Sequence, residues 1–148
     1  MQLKEILENK GETLFSVDEE ASLETAARAL TQKRIGAMVI LDPQGALQGI
    51  VSERDISRAL GMRGAAVAST SVSDIMTRDV ITCHQEDNVD DLFHIMVDNN
   101  IRHLPVIEGG RAVAMLSIRD ISRALIHQYE TENQDLKSLI CSLDVDAA

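Results

Sequence analysis

The sequence predicts an α/β (α+β) fold in which two pseudo-symmetric β-α-β-β-α units pack face to face and an extended C-terminal helix follows. Three observations support this prediction. The nine residues of segment 52–60 recur at 117–125 and differ only in Glu53 against Ile118. Before each copy lie an apolar stripe at helical spacing and two apolar runs of strand length. Each unit, at roughly 50 to 60 residues, is too small to bury a comfortable core alone, which favours packing of the two together.

The elements follow the same order in both units. A short extended segment, at Thr13–Val17 or Val80–Cys83, leads into a helix whose apolar residues recur at i, i+3, i+4 and i+7. Two strands follow, joined by a turn that contains the Pro or Gly residues typical of tight turns. A second helix opens at a Ser-x-Arg-Asp element. The strands are predicted at Ala37–Leu41, Leu47–Val51, Leu104–Ile107 and Ala112–Leu116, with turns at 42–45 and 108–111.

The repeat also suggests how the chain is organised. Residues 61–73 are rich in Gly, Ala and Ser, which is typical of a flexible or weakly ordered connection. The last helix is predicted from Ile118 to about Ser142, and its extra apolar stripe must pack on the body of its own chain or on a second copy. We expect a homodimer. The predicted divisions are a first unit at 1–64, a linker at 65–73, a second unit at 74–130 and a helical extension at 131–148.

Composition and charge exclude several classes of partner. The chain has 148 residues and a formal net charge of −10, and no run of Lys or Arg forms a basic patch. Because such a surface repels phosphate backbones and anionic lipids, neither nucleic acid nor a membrane is an expected partner. The apolar runs are too short to span a bilayer. Two cysteines, Cys83 and Cys141, lie in apolar-periodic stretches without a preceding signal peptide, which predicts a reduced, cytoplasmic protein.

Catalysis and metal binding are not predicted. An enzyme would need a nucleophile with a base, a metal cluster or paired carboxylates, and none of these stands out. Cys83 and His84 are adjacent, but consecutive residues on a strand point to opposite faces. The four histidines and two cysteines lack the spacing of metal ligands. We therefore expect a non-enzyme with no metal ion and no catalytic cofactor.

The repeated Ser-x-Arg-Asp element allows two interpretations. As a capping box, its Ser accepts a backbone N–H of the first helical turn and its Asp reaches back to the cap. As a ligand site, the helix N-terminus and Arg54 or Arg119 attract phosphate, while the Asp carboxylate accepts hydrogen bonds from the two hydroxyls of a ribose. A cap alone explains neither the Arg nor the duplication, which favours the ligand.

Four segments carry a family resemblance: Gly-Ile-Val-Ser-Glu-Arg-Asp at 49–55, Ala-Met-Leu-Ser-Ile-Arg-Asp at 114–120, Asp-Ile-Met-Thr at 74–77 and Arg-His-Leu-Pro-Val at 102–106. In this order and spacing they resemble tandem CBS (cystathionine β-synthase) domains, a pair known as a Bateman module. The resemblance covers nearly the whole chain, and small bacterial and plant proteins made of one such pair are the most similar. It implies two CBS units and a regulatory module that senses adenosine nucleotides in clefts between them.

The resemblance also implies which residues form the two clefts. His103 would face a phosphate or be structural, and Gly36 would admit a ligand close to the backbone or only relieve crowding. The bound ligand would be AMP, ADP, ATP or NAD(H), and a regulated partner protein stays unidentified. One cleft would contain Ser52, Arg54 and Asp55 with Thr77, Thr82, Ile101 and Arg102; the other would contain Ser117, Arg119 and Asp120 with Ser16, Ile35 and Gly36.

Two qualifications come from the residues themselves. The units are not equivalent, because Gly49 is replaced by Ala114 and Gly36-Ala37 by Arg102-His103. Unequal affinities, or a single working site, are therefore expected. The alternative function is a structural dimerisation or protein-interaction module without a nucleotide, in which the Ser-x-Arg-Asp elements serve only as helix caps.

Overall fold

The computed structural model describes residues 1–11 and 14–147 and has the predicted mixed α/β architecture. Two short 3-10 helices, Ala65–Ser69 and Val72–Asp74, lie between the two halves. Of the predicted segment Thr13–Val17, residue Thr13 lies outside the described residues. The regular elements are α1 (Leu3–Lys10), β1 (Ser16–Asp18), α2 (Leu23–Lys33), β2 (Ala37–Leu41), β3 (Leu47–Ser52), α3 (Glu53–Arg63), α4 (Val89–Asp98), β4 (His103–Glu108), β5 (Arg111–Ser117) and α5 (Ile118–Ala147).

The first unit is built on a three-stranded sheet in the order β1-β2-β3. Strand β1 pairs parallel with β2, and β2 pairs antiparallel with β3. The central strand β2 has the bounds that its apolar run predicts, and four of its five residues are buried. Helices α2 and α3 contribute to the core against this sheet through Leu23, Ala26, Leu30 and Ala59.

The second unit has a smaller sheet than predicted. Strands β4 and β5 form an antiparallel hairpin, but the segment predicted as a strand at Val80–Cys83 contributes only one bridge, between Cys83 and Val106. The reason lies upstream, because Thr77 forms a bridge with Ile50 of the first unit. The segment must cross from one unit to the other within six residues, so only its last residue, Cys83, pairs with β4.

The connection at 61–73 is ordered, which corrects the expectation of a flexible linker. Its two 3-10 helices place Val67 and Val72 in the core of the first unit. Backbone hydrogen bonds fix it to the start of α2, from Leu23 N to Thr70 O at 2.9 Å and from Val72 N to Ala21 O at 2.8 Å. Small residues here allow close packing against α2 and α3 rather than mobility.

Helix α1 was not predicted, and it packs on the second unit. Its residues Leu3, Ile6 and Leu7 join the second core, which also contains residues of α4, β4, β5 and α5. Backbone hydrogen bonds from Leu3 N to Asp87 O and from Val89 N to Met1 O, each 2.9 Å, hold its start beside α4. The N-terminal residues therefore belong to the packing of the half that lies farther along the chain.

The first turns of helix α5 pack in the second unit, and the rest of the helix extends beyond that unit. Ile121 and Leu125 are buried in the second core, whereas the side chains from Ile126 to Leu143 are almost all exposed. The extra stripe therefore does not pack on its own chain, which excludes the first of the two arrangements predicted for it. No helix in the described part of the chain combines the length and the apolar character needed to cross a membrane.

Candidate functional site

A cleft of about 760 Å³ lies where the first turn of α3 faces the segment between α4 and β4. Its size is that of a pocket for a drug-sized or nucleotide-sized molecule. Both units contribute to its walls. The residues that line it are Gly36, Ile50, Ser52, Glu53, Arg54, Asp55, Ser57, Arg58, Thr77, Asp79, Val80, Ile81, Asn99, Asn100, Ile101, Arg102 and His103.

The capping box at the start of α3 leaves one carboxylate oxygen of Asp55 outside the cap. Asp55 Oδ2 accepts hydrogen bonds from the Ser52 backbone N at 2.8 Å and from its hydroxyl at 2.9 Å, and Ser52 Oγ accepts one from Asp55 N at 3.2 Å. The hydroxyl of Thr77, which also lines the cleft, lies 3.5 Å from Asp55 Oδ1. The element is thus a helix cap, and it also presents an acceptor oxygen beside a hydroxyl.

Three arginines and three acidic side chains line this cleft, which gives it a larger share of cations than the acidic chain as a whole. Arg54 reaches across the unit boundary and donates to Asn100 O at 2.9 Å, and Arg58 and Arg102 also line the cleft. Asn100 has a positive φ of 52°, which turns its carbonyl group at the end of α4. Planar guanidinium groups at the N-terminus of a helix form a favourable environment for an anion such as a phosphate.

His103 lies at the boundary between the two units. A Cβ atom on Gly36 would approach the imidazole ring to 3.0 Å, so a larger residue at this position would require the ring of His103 to shift. Burial lowers the pKa of His103 below its ordinary value, and the nearby charges of Arg102, Lys10 and Arg54 act in the same direction against the opposing charge of Asp120. The ring is therefore neutral near pH 7 and able to donate or accept a hydrogen bond.

The remaining wall of the cleft is apolar and includes Ile50, Val80, Ile81 and Ile101. Gly49 allows the close approach that brings Ile50 to Thr77, because a Cβ atom there would lie 2.8 Å from Thr77 O and 2.7 Å from Met76 Sδ. The cleft thus combines arginine side chains, the Asp55 carboxylate oxygen beside the Thr77 hydroxyl, and an aliphatic surface that can pack against a flat ring.

The second Ser-x-Arg-Asp element has the same cap but different surroundings. Asp120 Oδ2 accepts from Ser117 N at 2.9 Å and from its hydroxyl at 2.8 Å. Lys10, at the end of α1, donates to the same oxygen at 2.5 Å and to Met115 O at 2.7 Å. Burial acts to raise the pKa of Asp120, but the hydrogen bonds from Lys10 and Ser117 outweigh it and lower the pKa overall. A cation of the chain itself therefore neutralises this carboxylate.

The structure brings most of the predicted residues of the first cleft together and regroups others. Gly36, predicted beside Ser117, lines the first cleft instead, because it precedes β2 and its carbonyl oxygen accepts from Glu53 N at 3.0 Å. Thr82 is half-buried on the crossing segment and does not line the cleft. Elsewhere, Ser16 is exposed on β1, Ile35 packs on the first core, and Arg119 is exposed on the first turn of α5.

Sequence reasoning missed three residues. Lys10 lies 110 positions from Asp120, and nothing in the sequence pattern links the two. Arg58 recurs as Arg123 within the repeated segment, so the duplication itself was a signal for it. Asn100, next to a helix end, is a residue type that adopts positive φ more readily than most, and this could have indicated a specialised turn.

Cys83, the cysteine next to His84, is poorly placed for covalent chemistry because it is buried. Burial and the charge of Asp87 raise the pKa of Cys83 to about 12, so its thiol does not ionise near neutral pH. Across residues 1–11 and 14–147, no group of three or more His, Cys, Asp or Glu side chains is placed to hold a metal ion.

The chain is similar to known proteins along both units. It is 40% identical over 119 residues to the mitochondrial CBS domain-containing protein CBSX3 of Arabidopsis thaliana, a match that spans 78% of this chain and 58% of that relative. The chain thus accounts for little more than half the length of that protein.

Two solved structures show the same fold. The crystal structure of a CBS-domain containing protein from Agrobacterium tumefaciens is 37% identical, with a TM-score of 0.82 over 84% of this chain and 98% of that one. A CBS domain protein from Pyrobaculum aerophilum, solved in complex with AMP, is 29% identical, with a TM-score of 0.75 over 88% of this chain and 99% of that one. The family model for the CBS domain matches residues 5–61 and 72–127. These two matches coincide with the repeated units, and the chain belongs to the CBS-domain family as a tandem pair.

Proposed function

We propose that the chain is a regulatory module that binds an adenosine ligand in the cleft between the two units. The observation that carries the proposal is the pairing of Asp55 Oδ1 with the Thr77 hydroxyl, at 3.5 Å, in a cleft that Arg54 and Arg102 also line. This donor set suits a ribose next to a phosphate, since carboxylate oxygens accept from vicinal hydroxyls and guanidinium groups bind phosphate.

The ligand is oriented by the chemistry of the walls. The phosphate lies toward Arg54, Arg102 and the N-terminus of α3, and neutral His103 is close enough to donate a further hydrogen bond. The ribose hydroxyls bind Asp55 and Thr77. The base lies against Ile50, Ile81 and Ile101, which form an aliphatic surface rather than an aromatic platform. AMP contains these three parts, and ADP, ATP and NAD(H) contain them as a fragment.

Regulation follows from the position of the cleft. Its walls come from both units, and Arg54 already joins them through Asn100 O. A ligand that contacts both walls stabilises one relative placement of the units, because it can only shift an equilibrium by its differential affinity for the states. We propose that a partner protein recognises that placement, and that the module performs no chemistry of its own.

The proposed number of sites is one per chain. At the second element, Lys10 pairs with the Asp120 carboxylate through the oxygen that also forms the cap, so a cation of the chain already neutralises the charge that would attract ribose hydroxyls. A ligand there would meet a carboxylate that is already in an ion pair, whose partners are 32% and 14% exposed. The first cleft therefore binds more tightly, and the second site stays weak unless Lys10 is removed.

A thermal-shift panel of AMP, ADP, ATP, NAD, NADH and S-adenosylmethionine tests the proposal. A ligand at 100 times its dissociation constant stabilises the folded state by about 2.7 kcal/mol, which raises the melting temperature by roughly 5 to 10 °C. The diagnostic variant is Arg102→Gln, because this side chain is exposed and its loss leaves the fold unchanged. Arg63→Gln, on the last turn of α3 and outside the cleft, is the matched control.

Two results would contradict the proposal. A shift of equal size in Arg102→Gln and Arg63→Gln would place the ligand elsewhere. The absence of a shift with every ligand would favour the alternative, a structural interaction module in which both Ser-x-Arg-Asp elements are only caps.

A further inference from the structure

The surface feature that the nucleotide cleft does not explain is the exposed stripe on the second part of α5. The family match ends at residue 127, so this part of the helix lies beyond the two CBS units. Large apolar side chains recur along it, and each is more than half exposed. They are Ile126, Tyr129, Leu136, Leu139, Ile140 and Leu143, with exposed fractions of 57 to 59%.

The spacing of this stripe is that of a coiled-coil seam. Alternating steps of three and four residues place Ile126, Asn133 and Ile140 at position a of a heptad, and Tyr129, Leu136 and Leu143 at position d. One heptad earlier, the a and d positions hold Arg119 and Ser122. The seam therefore begins where the helix extends beyond the second unit, directly after buried Leu125.

We propose that residues 126–143 form a parallel, two-stranded coiled coil with a second copy of this chain. Isoleucine at a with leucine at d is the combination that favours two parallel strands. A single Asn at an a position, here Asn133, pairs with its counterpart and fixes the register at some loss of stability.

The flanking charges agree with this choice. Glu132 is at position g and Lys137 at the following position e, and g of one helix faces e of its neighbour only when the helices run parallel. Each chain then forms two complementary pairs with its copy.

A lipid surface is a less suitable binding partner for the same apolar stripe than a second helix. The residues beside it include Glu130, Glu132 and Asp135 against the single cation Lys137. Helices that lie on membranes have a polar face rich in Lys and Arg, which anionic lipids attract. The stripe is therefore suited to a helix that matches its apolar seam and its Glu132 and Lys137 charges rather than to an anionic membrane.

Disulfide trapping in the full-length chain tests the parallel register directly. In an Ile140→Cys, Cys141→Ser variant, the two introduced thiols meet at the seam, and we expect mild oxidation to give a covalent dimer. The matched control is Ser138→Cys with Cys141→Ser, which places the thiol at position f on the outer side. An antiparallel pair would separate the two residues 140 by roughly 17 Å at 1.5 Å per residue, out of reach of a disulfide.

A charge exchange in the same background tests the partner contacts. Glu132→Lys alone and Lys137→Glu alone each place like charges opposite one another, whereas a mixture of the two chains restores both pairs. We expect the trapped product of the mixture to be mainly the heterodimer. Equal trapping at 138 and 140, no trapping at 140, or random pairing of the two charge variants would each overturn the proposal. Because the readout is confined to the helix, contacts between the CBS units do not affect it.

Discussion

The two Ser-x-Arg-Asp elements have nearly the same sequence but present different chemistry. Each forms the same capping box, in which the Ser hydroxyl donates to the Asp carboxylate at 2.9 Å in the first and 2.8 Å in the second. In the first, the other carboxylate oxygen of Asp55 faces Thr77 and the cleft. In the second, Lys10 binds the carboxylate of Asp120. Local sequence thus determines the cap, whereas distant residues determine whether the acid can receive a ligand.

The origin of this difference can be seen from the internal repeat. At the offset of 66 residues that relates the earlier parts of the two units, Lys10 corresponds to Met76, the neighbour of Thr77. Both segments lie beside the end of a strand, since Thr77 exchanges backbone hydrogen bonds with Ile50 and Lys10 donates to Met115 O. The first unit thus has the uncharged pair Met76-Thr77 beside its Asp55 carboxylate, whereas the second unit has Lys10 paired with Asp120.

The largest contrast is expected between Asp55→Ala and Asp120→Ala. Both variants lose the same cap, at about 1 kcal/mol, and Asp120→Ala also loses the ion pair with Lys10, so it is a control at least as destabilised as Asp55→Ala. Only Asp55→Ala also removes the acceptor for the ribose. A hydrogen bond to a charged group contributes about 1.5 to 3 kcal/mol, so its affinity for AMP should fall roughly 10- to 100-fold.

Isothermal titration of AMP into both variants provides the measurement. We expect Asp120→Ala to bind within about twofold of the unmodified chain, which is less than 1 kcal/mol. Equal losses in the two variants would show that both elements hold ligand, and the comparison drawn above would then be wrong.

A second and smaller effect is expected when Lys10 is replaced. Lys10→Met introduces the residue found at the corresponding position 76 and frees the Asp120 carboxylate. We expect a second, weaker equivalent of AMP to bind, with the first affinity unchanged. The loss of the partly exposed ion pair should lower the free energy of unfolding by up to about 1 kcal/mol.

The number of sites from the same titration is the measurement, and Lys4→Met, on the exposed side of α1, is the control. If Lys10→Met still bound one equivalent of AMP, some other feature of the second unit would prevent a ligand from binding there.

The sequence predicts the parts of this molecule that are set by local patterns. The apolar run at Ala37–Leu41 gave strand β2, and the Ser and Asp spacing gave both capping boxes, because strand burial and caps depend on residues a few positions apart. Of the extended segment predicted at Val80–Cys83, only Cys83 pairs with β4, because Thr77 is held by the other unit.

In the candidate site, too, the sequence predicts contacts between nearby residues but not contacts between distant ones. The residues of the first cleft near Ser52 follow from the repeat, whereas the contact between Lys10 and Asp120 joins positions 110 residues apart. Helix α1 has apolar residues at Leu3, Ile6 and Leu7, so its amphipathic face could have been recognised. Its docking on the second unit rather than the first could not, since an apolar face does not specify which core it joins.

The smallest expected effect concerns His103, which lies between the two elements. Its pKa in the folded state is lowered by burial and by Arg102, so the unfolded chain binds a proton more readily. Stability is therefore fully present above the ordinary histidine pKa of about 6.5 and is lost as the pH falls from there through the lowered value.

The pKa of Asp120 is lowered as well, but for a carboxyl group the corresponding loss begins only below the ordinary Asp pKa of about 3.9. The effect of His103 on stability is therefore expected at mildly acidic pH, where the effect of Asp120 has not yet begun. We expect the free energy of unfolding in urea to fall between about pH 7.5 and pH 5.5, and His103→Asn to reduce that fall. His127→Asn, an exposed position on α5, should retain it. Because each variant is compared with itself at two pH values, a general loss of stability in His103→Asn does not obscure the result. An undiminished fall in His103→Asn would mean that another group takes up the proton. Burial at the boundary between the units would then not disfavour the charged form of His103.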